Sequence, residues 1–108
     1  MMELPVLLTD DAARDLDEIY ARVKLQRSWQ GAEEALDELS AAFAEAAAGP
    51  LERHPPELLA LGIRDYLEAG SGEFRVIYRA EARAVYVLLI VDGRRDLRSL
   101  LERRLLEA

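Results

Sequence analysis

The chain has 108 residues and a formal net charge of -7, with 51% hydrophobic and 32% charged side chains. That is the length and composition of one globular domain, too short for a cofactor fold built from two halves, so a single domain over residues 1–108 with no cofactor is expected. Without cysteine and with one histidine, His54, there is no basis for a disulfide, a thiolate metal site or a histidine metal cluster. No window reaches the roughly 18 apolar residues of a membrane span, and no basic-then-apolar leader is visible, so a cytoplasmic protein without a membrane partner is expected.

Leu4 to Leu8 is a short apolar run that predicts a first strand. Thr9, Asp10 or Asp11 can cap the helix that follows, because each offers an oxygen to orphan N–H groups at the helix start. Ala12, Leu16, Ile19 and Val23 then recur at spacings of four, three and four, which is one helix face. Gln26 to Gly31 reads as a connection, with Trp29 between two helices. A second helix carries Ala32, Leu36, Leu39, Phe43 and Ala46 on one stripe and Glu33, Glu34, Asp37, Glu38 and Glu45 on the other. Gly49-Pro50 stops it. The two helices form a hairpin, and a long connection around Pro55 and Pro56 follows.

The period then changes from 3.6 to 2. "IRDYLEA" (residues 63–69) predicts a strand, "GSG" a turn, and "EFRVIYRA" a strand with Phe74, Val76 and Tyr78 against Arg75, Ile77 and Arg79. "EAR" makes a tight turn into "AVYVLLIVD", whose almost unbroken apolar character predicts a central strand. Turns this short make these strands antiparallel neighbours. Arg95 to Leu106, with leucines at 97, 100, 101 and 105, predicts a short amphipathic helix. The expected fold is α+β: a strand, a helical hairpin, three antiparallel strands and a short C-terminal helix, with helices packed on one sheet face.

"GEFRVIYR" followed by "VYVLLIVDGRRD", with "LTDDAARDLDEIY" and "PELLALGIRDY" upstream, resembles the RelE/ParE superfamily of toxins from bacterial type II toxin–antitoxin pairs, and more closely the ParE-like branch. The resemblance implies a plasmid-stabilisation or growth-inhibition toxin neutralised by a cognate antitoxin. It also implies one of two targets, DNA gyrase or ribosome-bound mRNA. A binding domain that has kept only the fold is the remaining alternative, and a toxin homodimer is left open.

The arginines are where these alternatives meet. Residues 1–52 carry a net -8 and residues 53–108 a net +1, so the only room for an anion site is in the second part. The resemblance implies that Arg75 holds a phosphate in the nucleases, a task its charged, forked side chain suits. A solvated-face arginine paired to Glu68 or Glu73 is the alternative. Arg64 and Arg79 share its parity, so Arg64, Arg75 and Arg79 form a candidate nuclease cluster, unless Arg79 merely pairs with Glu81. Arg75, Arg79, Arg94 and Arg95 are candidates for a phosphate or a target surface. The tail "DGRRDLRS" lacks the tyrosine or histidine that the nucleases carry there, and His54 and Tyr86 are poorly placed to replace it. The reading therefore leans away from an enzyme and toward an inhibitor of a protein target such as gyrase. Trp29, Leu97 and Leu101 are the candidate protein-contact residues; the leucines could equally pack on their own chain, and Trp29 could equally cap the hairpin.

Overall fold

A computed structural model describes residues 3–49, 53–70, 72–93 and 95–106. Arg94, Pro50 and Ser71, which figure in the expectations above, lie outside the described residues. The elements run β1 (Val6–Leu8), α1 (Asp10–Gln26), α2 (Trp29–Ala48), α3 (Pro56–Leu59), β2 (Leu67–Ala69), β3 (Phe74–Ala80), β4 (Val85–Asp92) and α4 (Leu97–Leu106). The strands form one sheet in the order β1-β4-β3-β2. β3 is antiparallel to both β2 and β4, while β1 pairs with β4 in parallel. A parallel neighbour needs a long crossover, and the α1–α2 hairpin with the following segments supplies it.

Thr9 caps α1: its Oγ1 accepts a hydrogen bond from the Ala12 N–H at 3.1 Å. The connection between the hairpin helices is shorter than the sequence suggests. Ser28 caps α2 by accepting from the Gly31 N–H at 3.0 Å, so Trp29 is the first residue of α2, not part of a loop. α2 ends at Ala48 with Gly49 at a φ of 144°, a conformation that favours glycine.

α1 and α2 cover one sheet face, called inner below. Ala12, Ile19 and Val23 of α1 and Ala32, Ala35, Leu39, Ala42 and Ala46 of α2 pack there against Val76, Tyr78, Val85, Val87 and Ile90. The run of alanines along α2 lets the helix sit close to the sheet. The acidic stripe of α2 is not only a solvated face. Glu38 accepts hydrogen bonds from the N–H groups of Glu73 and Phe74, each at 3.0 Å, and Glu45 accepts from that of Gly70 at 3.3 Å. These carboxylates thus hold the β2–β3 turn. At Gly70 itself φ is 98°, and a Cβ would lie 2.8 Å from the Phe74 carbonyl oxygen, so the turn requires glycine.

Three elements depart from the expectations. β1 starts at Val6, not Leu4. β2 is only three residues long: residues 63–66 are irregular, and the strand begins at Leu67. The proline-rich connection holds the short helix α3, with Pro56 at its start, where a missing N–H costs nothing. α3 and α4 pack on the outer face. Leu58, Leu97 and Leu101 bury Ile77, Leu89 and Val91 in a second apolar cluster, so helices lie on both sides of the sheet and the hairpin alone accounts for the inner layer.

Between Ile77 and Tyr78 the β3–β4 register shifts, leaving Leu88 of β4 without a partner rung. Side chains from two helices meet the backbone here. Asp15 of α1 accepts from the Ile90 N–H at 3.1 Å, and Arg104 of α4 donates to the Leu88 carbonyl at 2.7 Å and to both Asp15 oxygens at 3.2 Å.

Truncation at the centre of the inner core, Leu39→Ala, is expected to lower unfolding stability by about 2–5 kcal/mol. The change Leu25→Ala, at a side chain 88% exposed at the hairpin tip, should stay within about 0.5 kcal/mol. Urea unfolding followed by circular dichroism measures both.

Candidate functional site

The outer sheet face carries two of the arginines singled out by the sequence, Arg75 and Arg79. Strand alternation puts Phe74, Val76 and Tyr78 inward, so Arg75, Ile77 and Arg79 point outward. Glu68 pairs with Ile77 across the β2–β3 rung and shares that face.

Arg75 is fully engaged by its own chain. Its Nε and Nη2 donate to the two oxygens of Glu68 at 2.9 and 2.7 Å, and Nη1 and Nη2 donate to those of Glu57 at 2.8 and 3.0 Å. Two carboxylates therefore grip the guanidinium, each through two bonds, and four of its roughly five N–H groups are used. Its side chain is 19% exposed. Arg53 approaches Glu68 at 3.6 Å and donates to the Gly70 carbonyl at 2.9 Å, adding a second cation to the group. The Arg75 guanidinium is held charged even more firmly than usual, first by hydrogen bonding to Glu57 and then to Glu68, with burial opposing. The Glu57 carboxyl is held below its ordinary value of 4.5, chiefly by the Arg75 hydrogen bond, again with burial opposing. Glu68 was legible in the sequence as a partner for Arg75. Glu57 was not, because α3 brings it across from a segment that reads as a loop.

The three-arginine cluster does not form. Arg64 is exposed in the irregular segment before β2, where strand parity does not apply. Arg79 shares the outer face with Arg75 but pairs with Glu81 at 2.8 Å, both side chains about half exposed. Arg95 is exposed, and Arg94 lies outside the described residues. Leu97 and Leu101 are buried against the sheet and offer no surface to a partner in this arrangement; they are packing residues. Trp29 is 62% exposed and stands at the hairpin tip near Leu25, so it does not cap the hairpin core.

Groups that could move a proton are scattered. His54 Nδ1 lies 3.1 Å from the Tyr66 carbonyl oxygen, tying the connection to the segment just before β2. Tyr78 is buried on the inner face, and burial raises its pKa; its hydroxyl has no partner among the described residues. Tyr66 and Tyr86 lie on the outer face with Arg79, around one cavity of about 210 Å³ that Thr9, Leu88 and Leu105 complete. Sequence reasoning set Tyr86 aside; its pairing with Arg79 in the β3–β4 register is the signal that places it beside that arginine. Among the described residues no three His, Cys, Asp or Glu side chains gather in a way that could hold a metal ion, and no helix is long and apolar enough to cross a membrane.

A helical hairpin on the inner face of a β1-β4-β3-β2 sheet, with arginines on an outer face partly closed by a C-terminal helix, defines a RelE/ParE-like fold. The family model described as ParE toxin of type II toxin-antitoxin system, parDE, matches residues 6–97, and the chain belongs to that family. Among solved structures it is similar to the chromosomal ParDE TA system from P. aeruginosa, with 17% identity and a TM-score of 0.62 over 83% of this chain and 96% of that one. At that identity the likeness bears on the fold. None of the curated proteins matches it in sequence.

The grip on Arg75 makes stability depend on pH in a defined direction. The folded-state pKa of Glu57 lies below its unfolded value, so its contribution is complete above about pH 4.5 and is lost as the pH falls through the folded value. Glu57→Gln is expected to flatten the acid limb of the stability curve below about pH 5. Arg75→Met should destabilise at pH 7 by about 2–3 kcal/mol, below the range for a fully buried pair because Glu57 is partly solvated. Urea midpoints from pH 3 to pH 8 measure both effects.

Proposed function

We propose that this chain is the toxin of a type II toxin–antitoxin pair, neutralised by a cognate antitoxin, and that it inhibits a protein target such as DNA gyrase without cutting RNA. The state of Arg75 carries this reading. A nuclease of the RelE type needs that guanidinium free to hold a phosphate in the transition state. Here two carboxylates of the same chain fill its fork, and a phosphate would have to displace both from a largely buried site. Arg64 and Arg79, the other two members of a candidate phosphate cluster, stand apart from it. The long acidic half of the chain also opposes a polyanionic substrate, since phosphate binding wants a positive field.

A protein target finds better material in the hairpin tip. Trp29 and Leu25 are exposed at the junction of α1 and α2, and Trp is among the side chains that supply most of the energy at protein contacts. The antitoxin follows from family membership, and a cytoplasmic site of action from the nature of such targets.

Expression of the chain alone is expected to arrest growth, and co-expression of the adjacent gene's product should relieve the arrest. The purified chain should inhibit gyrase supercoiling and leave mRNA intact on translating ribosomes, with Trp29→Ala weakening the inhibition about tenfold or more. Ribosome-dependent cleavage without gyrase inhibition would reverse the assignment.

A further inference from the structure

We propose that the uncovered half of the outer sheet face docks an extended segment of a partner protein, which places one carboxylate on Arg79 between apolar side chains. The outer face is covered unequally. α3 and α4 bury Ile77, Leu89 and Val91, but the cover does not extend to the rungs where Tyr86 and Leu7 lie, which are 36% and 46% exposed.

Register turns these exposed residues into a row. Leu7 of β1 is the rung partner of Tyr86 of β4, and Tyr86 is the rung partner of Arg79 of β3. Tyr66, just before β2, lines the same cavity as Arg79 and Tyr86. Leu7, Tyr86 and Arg79 thus cross three strands in sequence, spaced by roughly 4.8 Å per strand, and Tyr66 closes the row on the far side of the cavity. The guanidinium has an aromatic residue on either side, with the cavity floor of Leu88 and Leu105 below. Arginine between aromatic faces keeps its planar edge for an anion.

The two outer-face arginines differ in availability. Arg75 is largely buried and bound through two pairs of hydrogen bonds, so an incoming anion meets a filled fork. Among the described residues Arg79 pairs with Glu81, in an exposed pair that water and salt already weaken. A partner carboxylate arriving with apolar contacts on both sides can exchange for Glu81.

The charge of the molecule selects among anions. With a net charge of -7, the chain as a whole repels a run of phosphates. A single carboxylate set among apolar residues meets the one cation and the apolar wall. Identifying the occupant as the antitoxin rests on the functional reading above; the chemistry of the row does not.

The full chain, isotopically labelled, would be titrated with a capped Leu-Glu-Phe-Leu tetrapeptide, with its Gln-for-Glu counterpart and with a hexauridylate. Chemical-shift changes are expected at Leu7, Tyr66, Arg79 and Tyr86 with the acidic peptide, weakened about tenfold or more by the Gln peptide or by Arg79→Gln. No shifts, or shifts confined to the groove of Leu58, Leu61 and Ile63, would overturn the proposal, as would tighter binding of hexauridylate to the row. The product of the adjacent gene separates the two readings. If it forms no complex with the wild-type chain, the toxin–antitoxin assignment fails; if it binds Arg79→Gln and Tyr86→Ala as tightly as wild type, the docking surface fails.

Discussion

One carboxylate, that of Asp15, joins the three layers of this molecule. It projects from α1 and accepts the Ile90 N–H just past the register shift in β4, while Arg104 of α4 donates to it and to the Leu88 carbonyl. An irregular rung in a central strand leaves backbone groups that are costly to bury unpaired. Satisfying them from both helical layers makes the defect a junction. The hairpin, the strand and the C-terminal helix are positioned against one another there, and the cover that α4 gives the outer face depends on it.

The same economy governs the remaining arginines. An acidic chain might be expected to keep its cations for a ligand, yet four of its arginines serve as internal ties. Arg75 fastens α3 to β2 and β3 through Glu57 and Glu68, Arg53 reaches the β2–β3 turn, Arg27 bonds Glu73 across from the hairpin, and Arg104 holds α4. Guanidinium is suited to this because it stays charged when half buried and can satisfy two carboxylates at once. A fork so occupied is poor material for phosphate chemistry. Membership of the ParE family and a fold shared with a chromosomal ParDE system therefore meet a site whose most nuclease-like residue has been turned to structure.

Two of the exposed surfaces differ in kind. The hairpin tip offers Trp29 and Leu25 on a convex end, suited to insertion into a partner. The outer sheet face offers a shallow row of aromatic and aliphatic side chains around one exchangeable cation, suited to receiving an extended segment. They lie on opposite layers of the sheet, the tip on the inner hairpin and the row on the outer face, so covering one does not cover the other.

Much of the fold was legible because it rests on local pattern. The 3.6-residue spacing of Ala12, Leu16, Ile19 and Val23, the alternation from Phe74 to Arg79 and the apolar run from Val85 to Val91 each determine an element and the face it buries. The resemblance to RelE/ParE toxins could be read from the same stretches. What the chain alone did not disclose depended on contacts distant in sequence. Glu57 meets Arg75 only because a four-residue helix forms in a proline-rich connection, and the strand expected from Ile63 shortens to Leu67–Ala69, removing Arg64 from the arginine face. Leu97 and Leu101 could have served a partner or the core with equal logic, and only the position of α4 over Ile77 and Leu89 decided for the core. Side-chain parity tells which way an arginine points; which carboxylate arrives to meet it is settled by how the segments fold back, and that is a property of the whole chain.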